Sequence, residues 1–278
     1  MGKFWQALLT LTTFGLLCLS PANANSQTWP LEQRHPFNAK IQQSQALDYH
    51  PLTKAQQAWR LCVLVPHLKD AYWIGIDYGL IQHAKFLGVS LDLFEAGSYY
   101  HQDKQLEQLR TCMSGDYDAI LLGAVSPNLL EQFSEPLTKP VLALVNKLNS
   151  EQVQTHIGVN WYQMGLSAGH FIKADAKAHT PTQPTTLALL AGPENLGGTD
   201  LVEQGIRHAL EGSNVSISAI QHADNNRNLY RDQLQILLKA QQPNYILGSA
   251  VAIEAAVSTL KQKQLTQDIK LVSSYLSP

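Results

Sequence analysis

Between Arg60 and Ala84 the hydrophobic pattern changes period once. Leu61 to Val65 is a short apolar, β-branched run of the kind that makes a strand buried on both faces. Pro66 closes the run, and a loop from His67 to Tyr72 carries Asp70. Ile74, Tyr78, Ile81 and Phe86 then recur at helical spacing, which predicts a helix over 73–87. In open α/β sheets, ligands bind outside the carboxyl ends of the strands. Asp70, Tyr72 and Trp73 stand at such an end, where two large aromatics are not needed for a core.

The same alternation continues. Strands are expected at 89–94, 119–122, 140–145 and 157–159, with helices at about 103–113 and 127–134. A second series starts with a helix from about 162 to 174 and a polar surface loop over 175–185. Strands at 186–190, 215–220, 245–248 and 269–273 then alternate with helices at 200–211, 227–240 and 250–263. Strands separated by helices of this length make a parallel, doubly wound sheet with right-handed crossovers. Because the alternation occurs twice, the expected fold is α/β with two Rossmann-like lobes, the chain passing between them near 160 and leaving a cleft between carboxyl edges.

Upstream of this body the pattern is different. Residues 25–57 are polar and contain Pro30, Pro36 and Pro51, so they read as an irregular extension that Trp29 and Phe37 clamp onto the body. Residues 1–24 have the layout of a secretory signal: Lys3, an apolar core from Ala7 to Leu19, and Ala22-Asn23-Ala24 for cleavage. A membrane anchor needs about 20 apolar residues, and this run is shorter and ends at Pro21. Cys18 follows Leu17 rather than a small residue, unlike a lipoprotein anchor. Export leaves Cys62 and Cys112, for which an oxidising compartment favours a disulfide, with two buried free thiols as the alternative. The 278 residues are 45% hydrophobic, enough for one or two cores, and a net charge of −2 gives no basic stripe for nucleic acid.

Four aromatics fall at carboxyl ends of strands or in the loops that follow: Trp73, Tyr99, Trp161 and Tyr275. Each comes from a different strand unit, so they converge on one cleft. Each also has a plainer reading: Trp73 as a core residue of its helix, Tyr99 exchanged for Tyr100, Trp161 as packing between lobes, Tyr275 as part of a frayed end. Gly192 to Asp200 lacks G-x-G-x-x-G and a P-loop lysine, so its glycines are expected to serve a tight turn at the cleft border. The ten histidines show no H-E-x-x-H or clustered spacing and read as surface and cap residues, and no G-x-S-x-G elbow occurs. No catalytic residue, metal site or cofactor is therefore expected.

The strings DYDAILLG, PVLALVN, IGVNWYQMG, LALLAGPENLGGTDLVEQGI, YILGSAVAIEAA and DIKLVSSYLSP, together with the opening strand and its aromatic loop, resemble the type I periplasmic binding proteins, ribose-binding-like group, over about 60–278. LKDAYW, LFEAGSYY, GVNWYQMG, GPENLGGT and GSAVAIEAA are similar to a sensory branch of that family, whose members bind trimethylamine N-oxide (TMAO) and report to a membrane histidine kinase. The resemblance implies a periplasmic, non-enzymatic sensor with Trp73, Tyr99, Trp161 and Tyr275 as an aromatic cage for the methylated nitrogen, and Asp70 holding a water for the oxide or facing the cation. Tyr72, Asp200 and Ser249 are expected at the rim. It also implies a first lobe over 58–160, a second over 161–273, and a return crossing begun at 274–278 whose continuation this chain lacks. Sugar-binding relatives carry an arginine ahead of the glycine in the helix after the Gly-rich loop, and Asp200 to Gly205 has none. The alternative is a sugar or small-solute binding protein of an ABC transporter.

Overall fold

The computed structural model describes residues 28–34, 43–180 and 182–277. The expected signal segment, its cleavage site and Phe37 lie outside these residues. Two parallel sheets carry the chain. The first has strand order β4-β3-β5-β6-β7, from β3 (Arg60–Val65), β4 (Ser90–Glu95), β5 (Ala119–Leu122), β6 (Val141–Leu144) and β7 (Thr155–Ile157). The second has order β11-β10-β8-β9, from β8 (Thr185–Ala191), β9 (Val215–His222), β10 (Tyr245–Gly248) and β11 (Lys270–Ser273). Every pairing in these two sheets is parallel, as the doubly wound reading requires.

Alternate side chains of each strand feed opposite cores. In the first sheet, Cys62, Leu64, Ile120 and Leu122 pack under Leu106, Leu109 and Cys112 of α2 (Gln102–Ser114). Val63 and Val65 face Trp73 of α1 (Ala71–Leu87) on the other side. In the second sheet, Leu187 and Leu189 pack with α3 (Trp161–His179) and α4 (Thr199–Leu210), while Ala188 and Leu190 pack with α5 (Arg227–Ala240) and α6 (Ala250–Lys263). Each large aliphatic buried this way contributes about 1.5–3 kcal/mol. Helices α3 and α4 meet backbone to backbone, since a Cβ at Gly165 would lie 2.0 Å from Val202 O and one at Gly205 2.2 Å from Tyr162 O. Cys62 and Cys112 form a disulfide with Cα atoms 6.0 Å apart, stapling β3 to the end of α2.

The residues that reveal α1, Ile74, Tyr78, Ile81 and Phe86, form its exposed stripe at 47–65% exposure, while Trp73 and Ala84 face the sheet. Several expectations are corrected. The segment 127–134 holds only a 3-10 turn, Leu129–Gln132, because Asn128 caps it without a side-chain bond and Pro136 follows closely. Helix α3 runs on through 175–179 instead of ending in a loop, its last turn supported by His179 Nδ1 beside Asp175 at 3.2 Å. The extension is not irregular: β1 (Trp29–Gln33) pairs antiparallel with β2 (Gln45–Tyr49), setting Trp29 opposite Tyr49 and Leu31 opposite Leu47. Trp29 is 53% exposed in this ribbon. No described helix is long and apolar enough to cross a membrane.

Candidate functional site

The loops at the carboxyl ends of both sheets face each other. Several of them begin helices, and polar caps set the geometry. Asp70 accepts the Trp73 amide at 3.0 Å, Asn160 accepts that of Gln163 at 3.1 Å, and Ser249 accepts that of Ala252 at 3.3 Å. An aromatic follows two of these caps closely, so the cap that starts α1 also positions Trp73 and the one that starts α3 positions Trp161.

Between the loops lies a cavity of about 80 Å³. Tyr99, Trp161, Tyr275 and Ser249 line it, together with Glu203 and Asn225. Of the two neighbouring rings after β4, Tyr99 is 5% exposed and Tyr100 58%, which settles which one turns inward. Tyr72, Trp161 and Tyr275 touch in a triangle with centroids 5.3–6.2 Å apart, so ring edges fill the space among them and the open volume lies toward the second sheet.

Trp73 does not line this cavity. It is fully buried, its ring is pressed on Gly123, where a Cβ would lie 2.5 Å from Cη2, and its indole nitrogen donates to Tyr99 Oη at 3.1 Å. Asn146 Nδ2 donates to the same hydroxyl at 3.3 Å and to Ala124 O at 2.8 Å. Tyr72, expected only at the rim, packs against Trp73, Trp161 and Tyr275, and burial with the nearby Asp70 pushes its hydroxyl up to about 12. Burial likewise raises the Tyr99 and Tyr275 hydroxyls, so all three rings present neutral phenols. Asp200 is not at the cavity; it pairs with Lys147 at 3.0 Å, across the two sheets.

Trp161 is held from both sides. Its indole nitrogen donates to Val145 O at 3.0 Å. Val145 has φ 63°, a left-handed conformation that costs a β-branched residue about 1–2 kcal/mol. Gly198 touches the ring as well, since a Cβ there would lie 2.3–2.6 Å from three indole atoms. The Gly-rich loop therefore borders the cleft as expected, and its glycines give a ring room.

A buried polar cluster adjoins the rings. His67, expected as an ordinary surface or cap residue, is fully buried. Its Nδ1 accepts the Lys69 amide at 3.3 Å, which places the proton of the neutral ring on Nε2. Nε2 faces Asp70 Oδ2 at 4.0 Å and Asp224 Oδ1, from the other sheet, at 3.8 Å. Burial lowers the His67 pKa against the pull of both carboxylates, and burial raises that of Asp70. Asp224 also accepts the Tyr99 amide at 3.4 Å and faces Lys69 Nζ at 3.9 Å. Sequence reasoning missed Asp224, Asn146, Asn225 and Glu203. The available signal was position: Asn146, Asp224 and Asn225 directly follow β6 and β9, at the same sheet edges as the aromatics.

Residues 61–278 match the family model described as periplasmic binding protein domain. The periplasmic protein TorT of Escherichia coli strain K12 is 35% identical over 225 residues, which are 81% of this chain and 64% of that protein. The chain thus spans just under two thirds of the length of this curated relative. A solved complex of the TorS sensor domain with TorT in the presence of TMAO matches with a TM-score of 0.66 and 38% identity, over 79% of this chain and 75% of that one. A solute-binding protein of an ABC transporter from Bradyrhizobium sp. BTAi1 with bound Bis-Tris matches with a TM-score of 0.68 and 30% identity, over 93% and 78%. Neighbours in complex with β-D-fucofuranose and D-arabinose are 19% and 14% identical and share the fold alone.

Proposed function

The chain belongs to the periplasmic binding protein family, and on that premise we propose that it is a periplasmic sensory protein that binds TMAO between its lobes and reports to the sensor domain of a TorS-like membrane histidine kinase. The observation that carries this reading is the cavity wall. Tyr99, Trp161 and Tyr275 meet there with one charged residue, the carboxylic Glu203, and no lysine or arginine among the described lining residues. Neutral rings attract a methylated, positive nitrogen by about 0.5–2 kcal/mol each. A sugar needs a dense polar lining instead, and an anion needs a cation.

In this reading Tyr99, Trp161 and Tyr275 form the walls. Trp73 is a supporting residue that fixes Tyr99, and Tyr72 backs the other two rings. Asp70 acts from the polar cluster behind them. The solved TorT relative in the presence of TMAO, 38% identical, supports this ligand. Signalling follows if the ligand prefers one arrangement of the lobes, since it shifts the equilibrium only by that difference in affinity.

Calorimetry with TMAO, betaine, choline and ribose tests the reading. TMAO is expected to bind and ribose not to. Ribose binding without TMAO binding would overturn the proposal in favour of a sugar carrier. Co-purification with the kinase sensor domain, with and without TMAO, tests the reporting role.

A further inference from the structure

The three rings account for only one side of the cavity. We propose that the cavity continues into a second subsite, walled by Glu203 and Asn225, which takes the hydroxyl-bearing arm of a larger trimethylammonium solute of the choline type. The inference rests on the reading of the rings as a methylated-nitrogen site.

The volume left open by the closed triangle of Tyr72, Trp161 and Tyr275 runs toward the second sheet. Its floor there is apolar, formed by Leu189, Val202, Ile206 and Leu247. Methylenes suit that floor. TMAO has no substituent longer than a methyl group and leaves it uncovered.

Polar groups stand beside the floor. Glu203 Oε1 faces His222 Nε2 at 3.6 Å, and His222 Nδ1 lies 2.9 Å from Gly192 O. A carbonyl only accepts, so Nδ1 donates to Gly192 O, and Nε2 is turned toward the Glu203 carboxyl, whose oxygens can accept from a hydroxyl. Asn225 Oδ1 accepts the Tyr230 hydroxyl at 2.6 Å, and the amide nitrogen on the same side chain is a donor. A hydroxyl needs both kinds of partner, and these two side chains supply them.

The test compares choline with tetramethylammonium, which has the same head without the hydroxyl arm, on the full chain by calorimetry, with TMAO alongside. Wild type is expected to prefer choline by about tenfold, the size of one well-made hydrogen bond to a charged group. Glu203→Gln and Asn225→Ala should each cut that preference to about twofold or less, with far-ultraviolet circular dichroism showing that the variants fold. No preference for choline in wild type, or an unchanged preference in both variants, overturns the second subsite and leaves the TMAO reading standing. Absence of binding by all three ligands overturns the nitrogen-site reading itself.

Discussion

The indole nitrogen of Trp73 donates to the hydroxyl of Tyr99 at 3.1 Å, so a residue that never reaches the cavity fixes a ring that lines it. Tyr99→Phe keeps the ring and removes the acceptor. It leaves the buried Trp73 donor unpaired and takes one acceptor from Asn146, which costs about 1–3 kcal/mol. The urea midpoint should fall accordingly, and TMAO affinity should drop because the ring is no longer held. A variant with wild-type midpoint and affinity would show that the hydrogen bond does not position the ring.

Trp161→Ala removes a cavity wall that is only half-buried. The fold should survive, as read by far-ultraviolet circular dichroism. TMAO affinity should fall by about tenfold or more, since a desolvated ring over a methylated nitrogen contributes up to about 2 kcal/mol. Wild-type affinity in this variant would count against the aromatic cage.

Two glycine replacements should behave oppositely. Gly79 lies in α1 with nothing within 4 Å of its Cβ position, so Gly79→Ala is expected to stabilise the protein by about 0.5–1 kcal/mol without touching binding. Gly198→Ala drives a methyl group into the Trp161 indole at 2.3–2.6 Å. The ring must move, and TMAO binding should weaken by about tenfold or more while the chain stays folded. Equal TMAO affinity in both variants would show that the ring tolerates displacement.

Acid should weaken the polar cluster. His67 is neutral in the fold because burial holds its pKa below the unfolded value of about 6.5. Its contribution is present above that value and is lost as the pH falls through it toward the folded pKa. Asp70 runs the other way: its raised pKa gives a contribution present at low pH and lost as the pH rises through the folded value. The melting temperature should therefore decline from pH 7.5 to 5.5 with a slope that His67→Gln flattens. An equally steep decline in His67→Gln would assign the slope to other groups.

Element order and type were legible because hydrophobic period is a local signal. The strands at 119–122 and 245–248 and the helices at 227–240 and 250–263 stand where the pattern puts them. What the pattern does not carry is direction. Ile74, Tyr78, Ile81 and Phe86 reveal a helix but face outward, while Trp73 and Ala84 face the sheet. At the site, strand-end position brought Tyr99, Trp161 and Tyr275 to one cavity. It placed Trp73 there too, although sheet packing turns that ring into the core. Asp224 and His67 were illegible because their environment is made by pairing across two sheets, from residues more than 150 positions apart. A lone histidine in a loop gives no sign of that burial.

Val145 carries a penalty that the site can shed without changing shape. Its left-handed backbone costs energy, and the carbonyl so placed is the one that holds the Trp161 indole. Glycine or asparagine at 145 takes up the same backbone at lower cost and leaves that carbonyl where it is. Selection for heat resistance is therefore free to replace the valine, because the bond to the ring belongs to the main chain and not to the side chain.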